Sequence, residues 1–354
     1  MKWEKVPFSE VIKDITGGNR KFVSTEYNTT GLFPIIDQGD SFIGGYTNES
    51  STVNRIKPVV IFGDHTKKIK YVDFDFCLGA DGVKVLSTTD NLLPKYFYYY
   101  LLTLNLPDVG YSRHFKFLKE YSVPLPPLEV QKQIADTLDK ADELRKKDEL
   151  LLKKYDELAQ SIFYDMFGDP VKNEKGWEVK KLDYLVSIKP KTIKPIDTND
   201  YEYIGLENIE KGTGRLSYSK ETDLKSNKFL FDDKTILYGK LRPYLRKVGL
   251  PSSLGICSTD ILPIQCKTVD KYFICSILRS NNFTDYATTN SVGANLPRVN
   301  KETILSFETI NPPFELQSIY GKKIQIINES KESVYSTKSK TETLFQTFLN
   351  TYFS

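Results

Sequence analysis

The stretch LPPLEVQKQIADTLDKADELRKK, residues 125–147, halts on two prolines and then runs into a charged, leucine-spaced segment. A second stretch, NPPFELQSIYGKKIQIINESKES at 311–333, repeats that punctuation. Sliding the chain by 186 residues lays Pro126, Pro127, Glu129 and Gln131 on Pro312, Pro313, Glu315 and Gln317. The same ungapped shift lays Leu158, Gln160 and Phe167 on Leu344, Gln346 and Phe353. Upstream, Trp3-Glu4 with Phe8 and Val11 is echoed by Trp177-Glu178 with Leu182 and Leu185. That offset is 174, so the second variable portion is 12 residues longer. A repeat of this period organises the whole chain: globular unit, long segment, globular unit, long segment.

The long segments read as helices. Residues 128–167 contain neither Pro nor Gly and are built mostly from strong helix formers. Glu129 favours the helix N-terminus, and Gly168 and Pro170 supply the stop. Forty residues at about 1.5 Å each make a rod of roughly 60 Å. Alternating steps of four and three trace a seam: Ile134, Leu138, Ala141, Arg145, Asp148, Leu152, Tyr155, Ala159, Ile162 and Met166. Shifted by 186 it becomes Tyr320, Ile324, Ile327, Lys331, Val334, Lys338, Thr341, Phe345, Phe348 and Tyr352. Each seam is apolar at its ends and polar in its middle, with a base at the fourth position. That pattern predicts two helices pairing, with polar seam residues fixing register. A lone charge-striped rod is the competing reading.

The other regions lack the helix period. Short Val/Ile/Tyr/Phe runs are cut by Gly, Asn, Asp and Pro, as in PVVIFGD, KIKYVDF and GVKVL, then YEYIGLENI, KTILYGKL and DILPIQ. These predict strands and turns. LPKYFYYYLLTL and DKYFICSILRS predict one short helix per unit. The expected class is α+β, with globular units at 1–125 and 169–311 and long helices at 126–168 and 312–354.

Bulk composition sets further bounds. The 354 residues carry a net charge of only +3, so nucleic-acid binding would rest on local patches or on partners. No run of 18 or more apolar residues offers a membrane span, and MKWEKVPFSEVI lacks the apolar core of a signal peptide. A cytoplasmic protein is expected. The four cysteines form no CxxC pair and the chain has two histidines, so no metal site and no catalytic triad is expected.

Asn311-Pro312-Pro313-Phe314 matches the tetrapeptide with which amino-methyltransferases hold a flipped base. No glycine-rich strand-to-helix turn for S-adenosylmethionine accompanies it, and its repeat copy reads Leu125-Pro126-Pro127-Leu128. A helix start is the better reading, and a stand-alone adenine methyltransferase is the alternative.

The strongest candidate for nucleic-acid contact is YGKLRPYLRK, residues 238–247. Read as extended, it points Lys240, Arg242, Tyr244 and Arg246 one way and Leu241 and Leu245 the other, with Lys247 closing the stretch. Such groups suit phosphates, base edges and stacking. Four loops are further candidates. TGGNRK holds Asn19, Arg20 and Lys21 after two glycines, and GDHTKKIK holds His65, Lys67, Lys68 and Lys70. GYSRHFK holds Tyr111, Arg113, His114 and Lys116, shortly before the first long helix. GANLPR holds Asn295 and Arg298 at the equivalent place before the second. Taken singly, each loop reads equally well as an ordinary surface turn.

PLPPLEVQKQIADTLDKADEL, its echo NPPFELQ, the YIGLENI run, and LYGKLRPYLRK followed by GICSTD resemble the specificity subunit of type I restriction–modification systems. The resemblance covers essentially the full length. It implies that each globular unit is a target recognition domain reading one half of an interrupted duplex-DNA sequence. It implies that the helices pair as an antiparallel coiled coil, act as a ruler between half-sites, and dock two methyltransferase subunits. Catalysis, S-adenosylmethionine, ATP and Mg would then belong to the methyltransferase and restriction subunits, with no cofactor on this chain. Lys240, Arg242, Tyr244 and Arg246 match the recurring second-domain motif, and loops 110–116 and 293–298 match those that precede the conserved helices. The first domain, with FPIIDQGDSFIGGYT and VVIFGD, resembles another subtype and has no KLRPY copy. A helical-hairpin scaffold that binds only protein is the remaining reading.

Overall fold

The computed structural model describes residues 3–80, 82–107, 110, 112–194, 201–220 and 225–353. They form two compact units, Met1–Leu150 with Tyr335–Ser354, and Leu151–Val334. The two long helices are thus shared between units rather than set apart as domains of their own.

In the first unit a two-stranded ribbon pairs β1 (Lys5–Pro7) with β10 (Ser122–Pro124). The helical turn α1 (Phe8–Val11) leads into a four-stranded antiparallel sheet. Its order is β2 (Ile12–Asp14), β9 (Val83–Thr88), β6 (Val59–Gly63), β7 (Ile69–Val72). A second sheet runs β3 (Lys21–Phe22), β8 (Cys77–Gly79), β4 (Phe33–Ile36), β5 (Gly45–Thr47), with β8 parallel to both neighbours. Helix α2 (Pro94–Leu102) and the turn α3 (Phe115–Leu118) complete the domain. β6 explains why VVIF is apolar at every position. Val60 and Phe62 pack with α2, whereas Val59 and Ile61 pack in the cluster holding Ile36, Phe76 and Leu78. A strand alternates its side chains between faces, and here both faces are covered.

The second unit repeats the plan. β11 (Val179–Lys181) pairs with β20 (Glu308–Ile310), and the turn α5 (Leu182–Leu185) follows β11. The first sheet runs β12 (Val186–Ser187), β19 (Ile261–Cys266), β16 (Thr235–Gly239), β17 (Val248–Gly249), antiparallel throughout. Position by position this is the order of β2, β9, β6 and β7. The offsets read in the sequence return, 174 from β1 to β11 and 186 from β10 to β20. β16 alternates as β6 does, with Ile236 and Tyr238 in the large core and Leu237 in a smaller one. The second sheets differ: β13 (Lys191–Ile193), β15 (Lys228–Phe231), β18 (Gly255–Cys257), β14 (Tyr203–Ile204), with only β14 and β18 parallel. Helix α6 (Lys271–Arg279) stands where DKYFICSILRS predicts one. The equally long α7 (Asn281–Thr289) is an addition, whereas the short α8 (Lys301–Ser306) begins 186 residues after α3 and is its counterpart.

The long helices α4 (Leu128–Phe167) and α9 (Phe314–Phe353) are continuous. Gly168, at φ +75°, ends α4 in the left-handed conformation that a side chain resists. Within each unit their contacts run in opposite directions. In the first unit Arg145 reaches Glu342 at 3.3 Å, Asp148 accepts from Thr341 at 3.0 Å, and Lys338 pairs with Glu149 at 3.0 Å. In the second unit Lys331 pairs with Asp156 at 2.6 Å, and the Phe163 ring lies 5.7 Å from that of Tyr320. The polar seam middle is therefore occupied by ion pairs and hydrogen bonds. Ile134, Leu138, Ala141, Leu152, Ile324, Ile327, Val334 and Phe345 are buried, and Tyr155 is half-buried. At the far ends the buried face moves by one residue. Phe163 and Leu349 are buried, where Ile162 and Phe348 are only half so.

Candidate nucleic-acid interface

NPPF resolves as a helix start. Pro313 O accepts from the N–H groups of Leu316 and Gln317, as Pro127 O does from Val130 and Gln131. Gln317, 1 % exposed, donates to Pro312 O at 2.7 Å and to Asn311 Oδ1 at 3.5 Å, and accepts from Asp270 N at 3.0 Å. Gln131 is its counterpart, donating to Pro126 O and Asn91 O and accepting from Leu93 N at 2.8 Å. The PPxExQ signature therefore clasps each long helix to the capping residue of the short helix in the same unit. The Asn311 amide is part of this clasp, and Phe314 projects to solvent from the first turn of α9.

In the second unit three loops converge where the shared sheet ends. Lys240 N, just past β16, donates to Asp260 O at 2.8 Å between β18 and β19. Arg242 N donates to Pro297 O at 2.7 Å, and Val299 N to Lys240 O at 3.1 Å. KLRPY and GANLPR, read separately in the sequence, are thus one surface. Arg242, Tyr244, Asn295 and Arg298 are exposed on it, and Lys240 is half-buried. Asp260 Oδ1 accepts from Arg298 Nη2 at 2.9 Å and lies 3.8 Å from Lys240 Nζ. Burial draws the Lys240 pKa down, with the Asp260 carboxylate opposing and Arg298 adding to the fall.

The extended geometry expected for 240–246 is not found. β16 ends at Gly239, Pro243–Leu245 forms a 3-10 turn, and Arg242 and Arg246 flank it at φ +51° and +50°. Pro243 has no N–H for a ladder and fixes its own φ, so the strand cannot continue. The turn breaks the alternation. Arg246 lines a half-open cavity of about 380 Å³ with Arg279, Tyr320 and Lys331. Lys247 Nζ turns inward to donate to Leu206 O at 2.6 Å.

The first unit brings together the equivalent loops. Asp64 N, just past β6, donates to Gly82 O at 2.6 Å, and His114 N donates to Asp64 O at 2.8 Å. Phe115 N donates to Asp64 Oδ1 at 2.7 Å, and His65 Nδ1 lies 3.2 Å from Ser112 O. GDHTKK is thus the topological counterpart of KLRPY, although the two share no sequence pattern. Arg113, Lys116 and Lys68 are exposed there, Lys68 pairing with Asp40 at 2.7 Å. Lys67 is half-buried in the tight turn, at φ +58°. His114 is buried, with Nδ1 3.0 Å from Asp64 O, which makes it an internal strut rather than a surface contact. Lys70 is likewise buried, donating to Asp37 O and Ser41 O. Tyr111 lies outside the described residues. Arg20 of TGGNRK is held by Glu26 at 2.5 Å and by Glu49, and Asn19 donates to Ile15 O at 3.1 Å. Lys21 remains exposed. Lys84 joins this loop to the others, pairing with Asp14 at 3.1 Å and lying 5.0 Å from the Phe115 ring centroid.

Nothing in the sequence marks the acids of these surfaces. The KLRPY stretch contains none, yet Asp260 enters from GICSTD and Asp64 organises the first unit. A carboxylate beside clustered bases was visible only as composition until the loops met.

Residues 1–157 match the family described as type I restriction modification DNA specificity domain. The EcoDI type I restriction enzyme specificity subunit of Escherichia coli is 29 % identical over 153 residues, which are 42 % of this chain and 34 % of that protein. The EcoR124I/EcoR124II specificity subunit of the same organism is 31 % identical over 151 residues, 39 % of this chain and 37 % of that one. The matches thus span about a third of the length of these curated relatives. A crystal structure of a type I restriction–modification system S subunit from M. genitalium superimposes with a TM-score of 0.65 at 15 % identity, over 98 % of this chain and 95 % of that one. That likeness establishes the fold. The chain is similar to type I specificity subunits in sequence over its first part and in fold throughout. No described helix is long and apolar enough to cross a membrane.

Proposed function

We propose that this chain, with its type I specificity domain and fold, is the non-catalytic DNA specificity subunit of a type I restriction–modification complex. Each unit reads one half of a bipartite duplex target. The paired helices set the spacing between half-sites and dock two methyltransferase subunits, and restriction subunits join the larger complex. S-adenosylmethionine, ATP and Mg act on those partners.

One observation carries this reading. In both units the loop after the third strand of the four-stranded antiparallel sheet, the loop before its second strand, and the segment before the short helix α3 or α8 are hydrogen-bonded into one surface bearing exposed bases. Base edges are read by side chains held on such fixed supports, while phosphate contacts set register. Bases placed on equivalent loops of a repeated domain suit a target with two half-sites.

The test is duplex binding by the chain together with its methyltransferase partner, across a range of salt. Binding that is specific and falls steeply with salt is expected. Tight S-adenosylmethionine binding by the isolated chain would instead favour the methyltransferase alternative. Salt-insensitive or absent DNA binding by the complex would favour a protein-only scaffold.

A further inference from the structure

An acid in the middle of a DNA-facing basic surface opposes the phosphates and therefore needs a reason. Asp260 joins two cations from separate segments, Arg298 at 2.9 Å and Lys240 at 3.8 Å. It is not the only tie between the loops. The main chain also joins them, through Lys240 N to Asp260 O, Arg242 N to Pro297 O and Val299 N to Lys240 O. What the carboxylate adds lies at the side-chain tips.

We propose that Asp260 is a positioning residue for base reading. It fixes the Arg298 guanidinium so that its remaining N–H edge meets a guanine in the half-site read by the second unit, and it keeps Lys240 alongside. This rests on the reading of that unit as a half-site reader.

The geometry supports it in three ways. First, Arg298 is about half exposed, at 53 %, and only Nη2 is engaged by the carboxylate. A guanidinium has five donors in a planar fork, so the others remain free for bidentate contact with guanine O6 and N7. Second, a long side chain immobilised before binding loses less conformational freedom on contact. Third, Arg242 and Tyr244 are exposed on the same surface, and among the described residues their side chains carry no ion pair or hydrogen bond. They are the adaptable contacts, suited to phosphate and stacking. One surface thus divides into a tethered reader and untethered anchors. The acid lowers affinity for DNA in general and raises the difference between right and wrong sequence, which is how specificity is built by an opposing element.

The experiment uses the full chain with its methyltransferase subunits. Affinity is measured for the target duplex and for duplexes changed one base pair at a time, at several salt concentrations. Asp260→Asn keeps the shape and removes the charge. It is expected to bind unrelated duplex at least as tightly as the unaltered chain, and to lose about tenfold discrimination at one G·C pair of the second unit's half-site. Arg298→Ala and Arg298→Lys are both expected to lose discrimination at that same pair, the lysine variant because it lacks the fork. Arg242→Ala is expected to weaken all duplexes alike and to reduce the salt slope. The assignment is overturned if Asp260→Asn weakens every duplex equally with its discrimination intact, or if Arg298→Lys reads the half-site as well as arginine does. Loss at an A·T pair instead would overturn the guanine assignment. If the unaltered complex shows no preference at any pair of this half-site, the reading of the unit itself fails, a result distinct from the others. Should Asp260→Asn not fold, the comparison of Arg298→Lys with Arg298→Ala decides.

Discussion

Gln131 and Gln317 show how little sequence is needed to fix a junction. Each buried amide bonds a proline carbonyl on its own helix start and the capping N–H of the short helix in its unit. Replacing either by Ala strands buried partners, at about 1–3 kcal/mol for each unsatisfied group. Urea unfolding of Gln131→Ala and Gln317→Ala should show destabilisation in that range, where a surface glutamine would show almost none. Asp270, which caps α6 through Tyr272 N and Phe273 N, sits under Gly321, where an added Cβ would lie 2.7 Å from its carboxylate oxygens. The repeat partners of this pair are Leu93 and Ala135, so the glycine accompanies the acid. Burial raises the Asp270 pKa above 3.8, so the folded state holds its proton to higher pH than the unfolded chain does. Its charge therefore costs stability as pH rises through the folded value, and the cost is absent well below 3.8. Asp270→Asn keeps the cap and removes the charge. It is expected to raise the urea midpoint at neutral pH, with the gain disappearing in acid. Burial also pushes the thiols up, Cys266 to about 12, with Cys77 and Cys275 raised as well. Since thiolate is the reacting form, iodoacetamide should label the native chain at neutral pH far more slowly than the unfolded chain.

At the scale of elements, the long helices were legible because their code is local: no breakers, good formers, a stop at Gly168 and a repeating seam. The seam itself needed correction at its far ends. An ideal α-helix drifts by about 20° per heptad against a strict seven-residue repeat. Over four heptads that approaches the roughly 100° step to the neighbouring residue, and Phe163 and Leu349 take the buried places in both copies. Phe163 stacks on Phe273 at 5.9 Å and meets Phe167 and Tyr320 edge-on. Phe163→Ala is expected to cost about 3–5 kcal/mol and Ile162→Ala clearly less, measured by chemical denaturation. Equal losses would mean that the heptad seam, not the drifted face, carries the packing. KLRPY failed as a strand for a local reason that the sequence did contain, the proline at 243. The left-handed conformations of Arg242 and Arg246 carried no such mark.

For the molecule as a whole, the repeat is the informative quantity. It places the same sheet order in both units although the strands themselves share little sequence. If the helices act as a ruler, removing one heptad from the middle of each, residues 148–154 and 333–339, shortens the rod by about 10 Å at about 1.5 Å per residue. At about 3.4 Å per base pair the preferred half-site spacing should fall by roughly three pairs. Target selection with the shortened chain checks this, and an unchanged spacing sinks the ruler. The duplication, the two helices with their ends, the α+β class and the basic stretches are legible along the chain, because all of these are written in neighbouring residues or in a fixed offset. Folding alone settles which loops share a surface, that His114 and Lys70 are internal, that Arg246 and Lys247 turn away from the exposed face, and that Asp260 stands between Lys240 and Arg298. Those are contacts between segments tens of residues apart. They are set by where strands end and how turns bend, and no local pattern encodes them.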